Sequence, residues 1–127
     1  MAKHLDTGRQ GEEIAEAYLR EKGYRVLGRN ISNPHGKRLG EIDIVAEKKG
    51  VVVFIEVKTR ILSLSQEDSL PEHQVTRSKL IKLERIASYY LRSNSLETRE
   101  YRFDVVSVIL NRGEGPAINH LESVFFS

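Results

Sequence analysis

Asp43, Glu56 and Lys58 are the residues whose types and spacing suit a reaction. They lie in one stretch, Gly40 to Arg60, which reads GEIDIVAEKKGVVVFIEVKTR. An apolar strand rarely ends in charges unless something satisfies them. Two carboxylates and a lysine gathered where two paired strands end suit phosphodiester hydrolysis. Mg²⁺ or Mn²⁺ takes oxygen ligands, and Mg²⁺ in particular is commonly held by one or two carboxylates plus substrate phosphate. A cation on Asp43 and Glu56 would polarise a phosphodiester, lower the pKa of water and offset developing charge. Lys58, a compact charge with three donors, would orient that water or stabilise the transition state. The carbonyl of Val57 would add a further oxygen ligand. The competing reading makes these residues an ion pair at the end of a sheet, satisfied by water and by each other.

The elements around this stretch follow from its periodicity. Glu41 to Ala46 alternates, with Glu41, Asp43 and Val45 expected on one face and Ile42, Ile44 and Ala46 on the other. Lys48-Lys49-Gly50 is a turn signal, and Val51 to Thr59 has the β-branched, apolar composition of a strand buried on both faces. Glu56 and Lys58 share a face of it. Upstream, Thr7 and Gln10 have the form of a capping box, opening a helix from about Gly8 to Lys22 that Gly23 ends. Gly11, Ile14, Ala15, Tyr18 and Leu19 form its apolar stripe. Glu12 lies at the edge of that stripe, where it suits either a cleft or a first-turn carboxylate favoured by the helix dipole. Met1 to Leu5 is expected to fray.

Tyr24 to Asn30 reads as a strand, followed by a loop with Pro34, Gly36 and the basic pair Lys37-Arg38. Ile61 to Gln74 is polar and without period, and is expected to form a mobile loop. Thr76 or Ser78 caps a second helix, reaching about Leu91, buried through Leu80, Leu83, Ala87, Tyr90 and Leu91. Arg77, Lys79, Lys82 and Arg85 surround its N-terminal half. Tyr101 to Leu110 is a strong strand, in which Arg102 and Asp104 should pair, and Ile118 to Phe126 a weaker edge strand. The four histidines show no ligand spacing, and Tyr18, Tyr24, Tyr89, Tyr90, Phe54 and Phe103 suit the core. The order is α-β-β-β-α-β-β, an α/β fold with a mixed central sheet flanked by helices.

The 127 residues, 39% hydrophobic and 30% charged, make one globular domain over 1–127. A net charge of +2 excludes polyanion binding by bulk charge, so any nucleic-acid surface must come from local clusters. Zero cysteines exclude disulfides and thiolate metal sites. No apolar run approaches the roughly 20 residues of a membrane span, and no signal-peptide core is present, so no membrane partner and a cytoplasmic location are expected.

The pattern Asp43 … Glu56-Val57-Lys58 is similar to the PD-(D/E)xK signature of the restriction-endonuclease-like superfamily, with Ile42 where that signature has proline. More specifically, GRQGEEIAEAYLREKGYRVLGRN, GEIDIVA, FIEVKTR and YRFDVVSV resemble the small bacterial family UPF0102, the YraN-like proteins. The resemblance runs from about Gly8 to the last strand. It departs from that family between Ile61 and Gln74, which lacks the Phe-Gly element that often follows the ExK strand. The resemblance implies a core shared with archaeal Holliday-junction resolvases. In such a core Glu12, Asp43 and Glu56 hold Mg²⁺ or Mn²⁺, and Lys58 is catalytic. It also implies a metal-dependent endonuclease acting on DNA, branched DNA by analogy, with RNA left open. Lys37, Arg38, Arg60, Arg77, Lys79 and Lys82 would hold the backbone, and a homodimer would set two sites against two strands. The alternative is a non-catalytic nucleic-acid-binding protein of the same fold, acting in a repair or recombination assembly.

Overall fold

The computed structural model describes residues 3–62, 76–111 and 113–124. Its elements are α1 (Lys3–Glu21), β1 (Arg25–Ser32), a 3-10 turn (Lys37–Leu39), β2 (Glu41–Lys48), β3 (Val51–Leu62), α2 (Arg77–Ser93), β4 (Tyr101–Asn111) and β5 (Ala117–Leu121). This is the α/β layout expected from the sequence. The strands form one mixed sheet in the order β1-β2-β3-β4-β5, antiparallel throughout except for the parallel pair β3–β4.

The alternation of β3 decides the layering. Val53 and Ile55 pack with Ala15 and Leu19 of α1, whereas Val52 and Phe54 pack with Leu83, Ile86, Ala87 and Leu91 of α2. A strand covered by a helix on each face must be apolar at both parities, which explains the unbroken run from Val51 to Ile55. Ile86 belongs to this core, while Leu80 and Tyr90 are half-buried and Tyr89 is 45% exposed. Tyr89 is therefore no core residue: it lies about 120° around the helix from the buried side.

Local signals end the elements. Gly23, at φ 95°, terminates α1: its N–H donates to the Arg20 carbonyl and that of Tyr24 to the Leu19 carbonyl. This pair of bonds satisfies carbonyls the helix leaves open, and Leu19 and Tyr24 share one core. Lys49 and Gly50, both at positive φ, make the two-residue turn whose twist suits a β2–β3 hairpin. Thr76 caps α2, its Oγ1 accepting from the Lys79 N–H at 3.1 Å.

Several boundaries differ from the sequence reading. Helix α1 begins at Lys3, because Thr7 and Gly8 are tolerated inside a helix and the capping box is only a local signature. Ile61 and Leu62 extend β3, paired with Leu110 and Asn111, and the rest of the expected 61–74 loop lies outside the described residues. Strand β5 is shorter than expected at its C-terminal end. Among the described residues no helix is long and apolar enough to cross a membrane.

Candidate active site

The site is built by a change of face that strict alternation does not anticipate. Ile44 and Ala46 pack toward α1 and Val45 toward α2, but Ile42 also packs toward α2. Its partner Ile31 does the same, while Arg29, opposite Ile44, reaches α1. Both strands therefore switch faces between the pairs Arg29↔Ile44 and Ile31↔Ile42. Asn30, at φ 55°, supplies the turn in β1, a conformation in which asparagine is enriched. Asp43 is the residue of β2 at this switch.

Beyond it the sheet splits. The β2–β3 ladder ends at Ile44↔Ile55, while β2 continues with β1 to Ser32↔Glu41 and β3 with β4 to Leu62↔Asn111. In place of the next ladder bond, the Asp43 Oδ2 accepts the Val57 N–H at 2.8 Å. The N–H and C=O of one strand residue point to the same edge. The Val57 carbonyl thus faces the gap.

Two faces meet at this gap. Glu56 and Lys58 project toward α2, and Lys58 Nζ lies 2.8 Å from Glu56 Oε2. Lys79, from the first turn of α2, lies 2.5 Å from the same oxygen. Glu56 Oε1 is buried with no hydrogen-bond partner among the described residues. From the other face, Glu12 reaches toward the gap but pairs with Arg29 at 3.0 Å, and Arg29 also holds Glu16 at 3.1 Å. Gly11 lets α1 sit this close, since a Cβ there would fall 1.8 Å from Thr59 Oγ1.

The electrostatics divide the cluster. Burial pushes the Asp43 carboxyl up to about 7, only partly countered by the Val57 N–H and reinforced by the charges of Glu12, Glu56 and Glu41. Burial also opposes ionisation of Glu56, but hydrogen bonds from Lys58 and Lys79 outweigh it and hold the carboxyl below its usual range. Burial works against the Lys58 charge, and the hydrogen bond to Glu56 with that carboxylate's charge overcomes it and raises the ammonium. Lys58 is therefore a fixed cation at neutral pH, suited to donating and to stabilising charge rather than to taking a proton.

The structure thus brings Asp43, Glu56, Val57 and Lys58 together at the split. It places Glu12 at its rim, held by Arg29. Among the described residues no set of three or more Asp, Glu or His side chains is arranged to ligate a metal. A hard cation needs only one or two carboxylates. The unpartnered Glu56 oxygen, the poorly neutralised Asp43 and the inward carbonyl of Val57 are the donor set it would fit.

Lys79 joins this cluster rather than the open surface. Its signal was present in the sequence: Lys79, Leu83 and Ile86 fall at i, i+4 and i+7, which puts the lysine in line with the core side of α2. Arg77 and Lys82 are exposed on α2, Lys37 and Arg38 are exposed on the 3-10 turn, and Arg60 is half-buried on β3. Gly40 brings that turn against Ile86 and Lys82, so Lys37, Arg38 and Lys82 belong to neighbouring parts of one surface.

Comparison with known proteins covers almost the whole chain. The profile described as "Uncharacterised protein family UPF0102" matches residues 11–108. A UPF0102 protein of Moorella thermoacetica (strain ATCC 39073 / JCM 9320) is 48% identical over 107 residues, covering 84% of this chain and 83% of its own length. One from Syntrophomonas wolfei subsp. wolfei (strain DSM 2245B / Goettingen) is 42% identical over 120 residues, covering 94% and 97%. One from Syntrophus aciditrophicus (strain SB) is 39% identical over 125 residues, covering 98% and 92%. Profile and relatives agree along nearly its full length: the chain belongs to the uncharacterised protein family UPF0102.

Proposed function

We propose that this protein is a metal-dependent nuclease hydrolysing phosphodiester bonds in DNA, with branched DNA as the preferred form by analogy with resolvases. One observation carries the reading: the β2–β3 split sets an under-neutralised Asp43 and an unpartnered Glu56 oxygen beside a fixed Lys58 charge. A purely structural ion pair would not leave one buried carboxylate oxygen bare and a second carboxyl pushed to about 7.

Asp43, Glu56 and the Val57 carbonyl hold Mg²⁺ or Mn²⁺, with Glu12 joining if it leaves Arg29. Bound there, the cation supplies a Lewis acid toward phosphate and lowers the pKa of water. Lys58 keeps its proton and donates to the oxygens on which negative charge develops. Lys79 balances Glu56 in the free protein and becomes a phosphate ligand once that balance is supplied otherwise. The cations on the 3-10 turn and α2 hold the substrate backbone. A homodimer would offer two such sites to two strands.

The test is cleavage of labelled single-stranded, duplex, flap and four-way-junction DNA with Mg²⁺, Mn²⁺ or EDTA. Metal-dependent cutting is expected, reduced about 10²–10³-fold or more in Glu56→Ala and Lys58→Ala. Cutting that survives EDTA or both substitutions would refute the assignment. Tight, salt-sensitive binding without cutting would select the non-catalytic alternative, a nucleic-acid-binding protein of the same fold in a repair or recombination assembly.

A further inference from the structure

A second feature lies on the exposed side of α2, away from the split. The loop after β1 and the C-terminal half of α2 enclose an open groove of about 350 Å³. Pro34 and His35 form one wall, and Arg85, Ser88, Tyr89 and Arg92 the other. Ser88 Oγ accepts from Arg92 Nη1 at 2.8 Å, which fixes the direction of that guanidinium.

The charge that lines the groove has no carboxylate to balance it among the described residues. Arg20, Arg25, Arg29, Arg99 and Arg102 each have a carboxylate partner. Arg85 and Arg92 have none among the described residues, and no carboxylate lines the groove. Tyr89 presents a ring that is 45% exposed, beside these two cations. Paired guanidinium groups beside an aromatic face suit a flexible polyanion carrying planar bases.

The position of the groove adds to this. Arg85 and Arg92 are seven residues apart on one helix face, about 10 Å along the axis. Lys79, which touches Glu56, lies about 20 Å from Arg92 along the axis of the same helix and about 140° around it, so a strand that joins the two must curve round α2.

We infer that the groove formed by Arg85, Arg92, Tyr89 and the Pro34–His35 loop is an accessory site for a single-stranded nucleic-acid arm. Arg85 and Arg92 take its phosphates and Tyr89 stacks on one unpaired base. The inference rests on the nuclease reading and extends it, naming where the strand runs after leaving the cleft.

The experiment is fluorescence anisotropy in EDTA, with labelled oligothymidylates of roughly 3 and 20 nucleotides, only the longer able to span cleft and groove. Arg85→Ala/Arg92→Ala and Tyr89→Ala are compared with wild type after circular dichroism has shown all three folded. The double variant should bind the longer oligomer at least about tenfold more weakly, its salt slope falling by about 1.4 for two lost phosphate contacts on a single strand. Tyr89→Ala should weaken binding about fivefold or more, with Tyr89→Phe restoring it. Wild-type affinity and slope in the variants would overturn the inference. Equal displacement of the oligomer by polyglutamate would overturn it in favour of an acidic protein. Binding that depends on the groove, in a protein that cuts nothing, would leave this site standing and sink the nuclease. Absence of any binding by wild type would end this inference, and the nuclease reading would still stand or fall by metal-dependent cutting.

Discussion

Asp43 and Asp104 are two aspartates of one sheet, and their surroundings treat them in opposite ways. Asp104 is wholly buried on the α1 side of β4, within reach of three donors: His120 Nε2 at 2.8 Å, Arg102 Nε at 3.0 Å and the Ser123 N–H at 3.1 Å. The network closes on itself. Arg102 also reaches the Tyr24 hydroxyl, and His120 Nδ1 the Tyr18 hydroxyl. Burial opposes the charge of Asp104, but His120, Arg102 and the Ser123 N–H overcome it and hold the carboxyl below its ordinary value. Asp43 has one backbone donor and three like charges, and is pushed up to about 7. The better-buried aspartate is thus the better-satisfied one. A polar group kept for architecture is surrounded by donors, whereas one kept for chemistry is left short of them.

The strongest test of this contrast is Asp104→Asn. It leaves Arg102 and His120 facing an amide and should destabilise the fold by about 3–5 kcal/mol, measured by urea denaturation at neutral pH. The sign of the pH dependence follows from the lowered carboxyl. The stabilisation by Asp104 is present above the unfolded carboxylate pKa and is lost as pH falls through the lower folded value. Wild type should therefore converge on the variant only in strong acid.

A smaller effect is expected from Gly11→Ala. The new Cβ meets Thr59 Oγ1 at 1.8 Å and Thr59 Cβ at 2.8 Å, so α1 must move away from β3. Overpacking outweighs the gain in helix propensity, for a net loss of about 1–2 kcal/mol in the same denaturation experiment. Moving α1 also takes Glu12 away from the split. The titration of Asp43, followed by NMR of its carboxyl carbon, should shift toward acid. An unmoved titration would show that Glu12 contributes nothing to the site.

Asp43→Asn should produce a change of the opposite sign, confined to one pH range. The folded protein holds a proton on Asp43 between its unfolded pKa near 4 and its folded value near 7, where the unfolded chain does not. Wild-type stability from this group is therefore full below pH 4 and is lost as pH rises through 7. An asparagine keeps an acceptor for the Val57 N–H and removes the charge. The variant should be more stable than wild type at pH 8, by up to about 4 kcal/mol for a shift of about three pKa units, with the gap closing toward pH 4. Destabilisation at pH 8 would make Asp43 a second Asp104 and dissolve the comparison.

Much of this was legible in the sequence, and the reasons are local. The sidedness of Glu56 and Lys58, the Lys49-Gly50 turn, the Gly23 stop and the Thr76 cap each depend on a few neighbouring residues. The Arg102–Asp104 pair follows from period-two spacing on one strand. The face switch at Asn30 and Asp43 was not legible, because it depends on two strands turning together, and alternation read along either one continues straight through. His120 has no ligand spacing in the sequence, yet its partners Asp104 and Tyr18 come from β4 and α1. Residue type alone puts Tyr89 in the core, whereas helical phase places it outside.

The parallel pairing of β3 with β4 carries a consequence for synthesis. The β1–β2–β3 meander can assemble as soon as β3 is made, but the edge of β3 that pairs with Tyr101–Asn111 then has nothing beside it. Roughly 40 further residues must be translated before β4 starts, a matter of about 2–8 s at ordinary elongation rates. Throughout that interval the longest and most apolar strand of the protein presents an open row of N–H and C=O groups, the arrangement that recruits a neighbouring chain. A nascent chain of this protein is therefore most prone to aggregate, and most dependent on chaperones, between completion of β3 and emergence of β4.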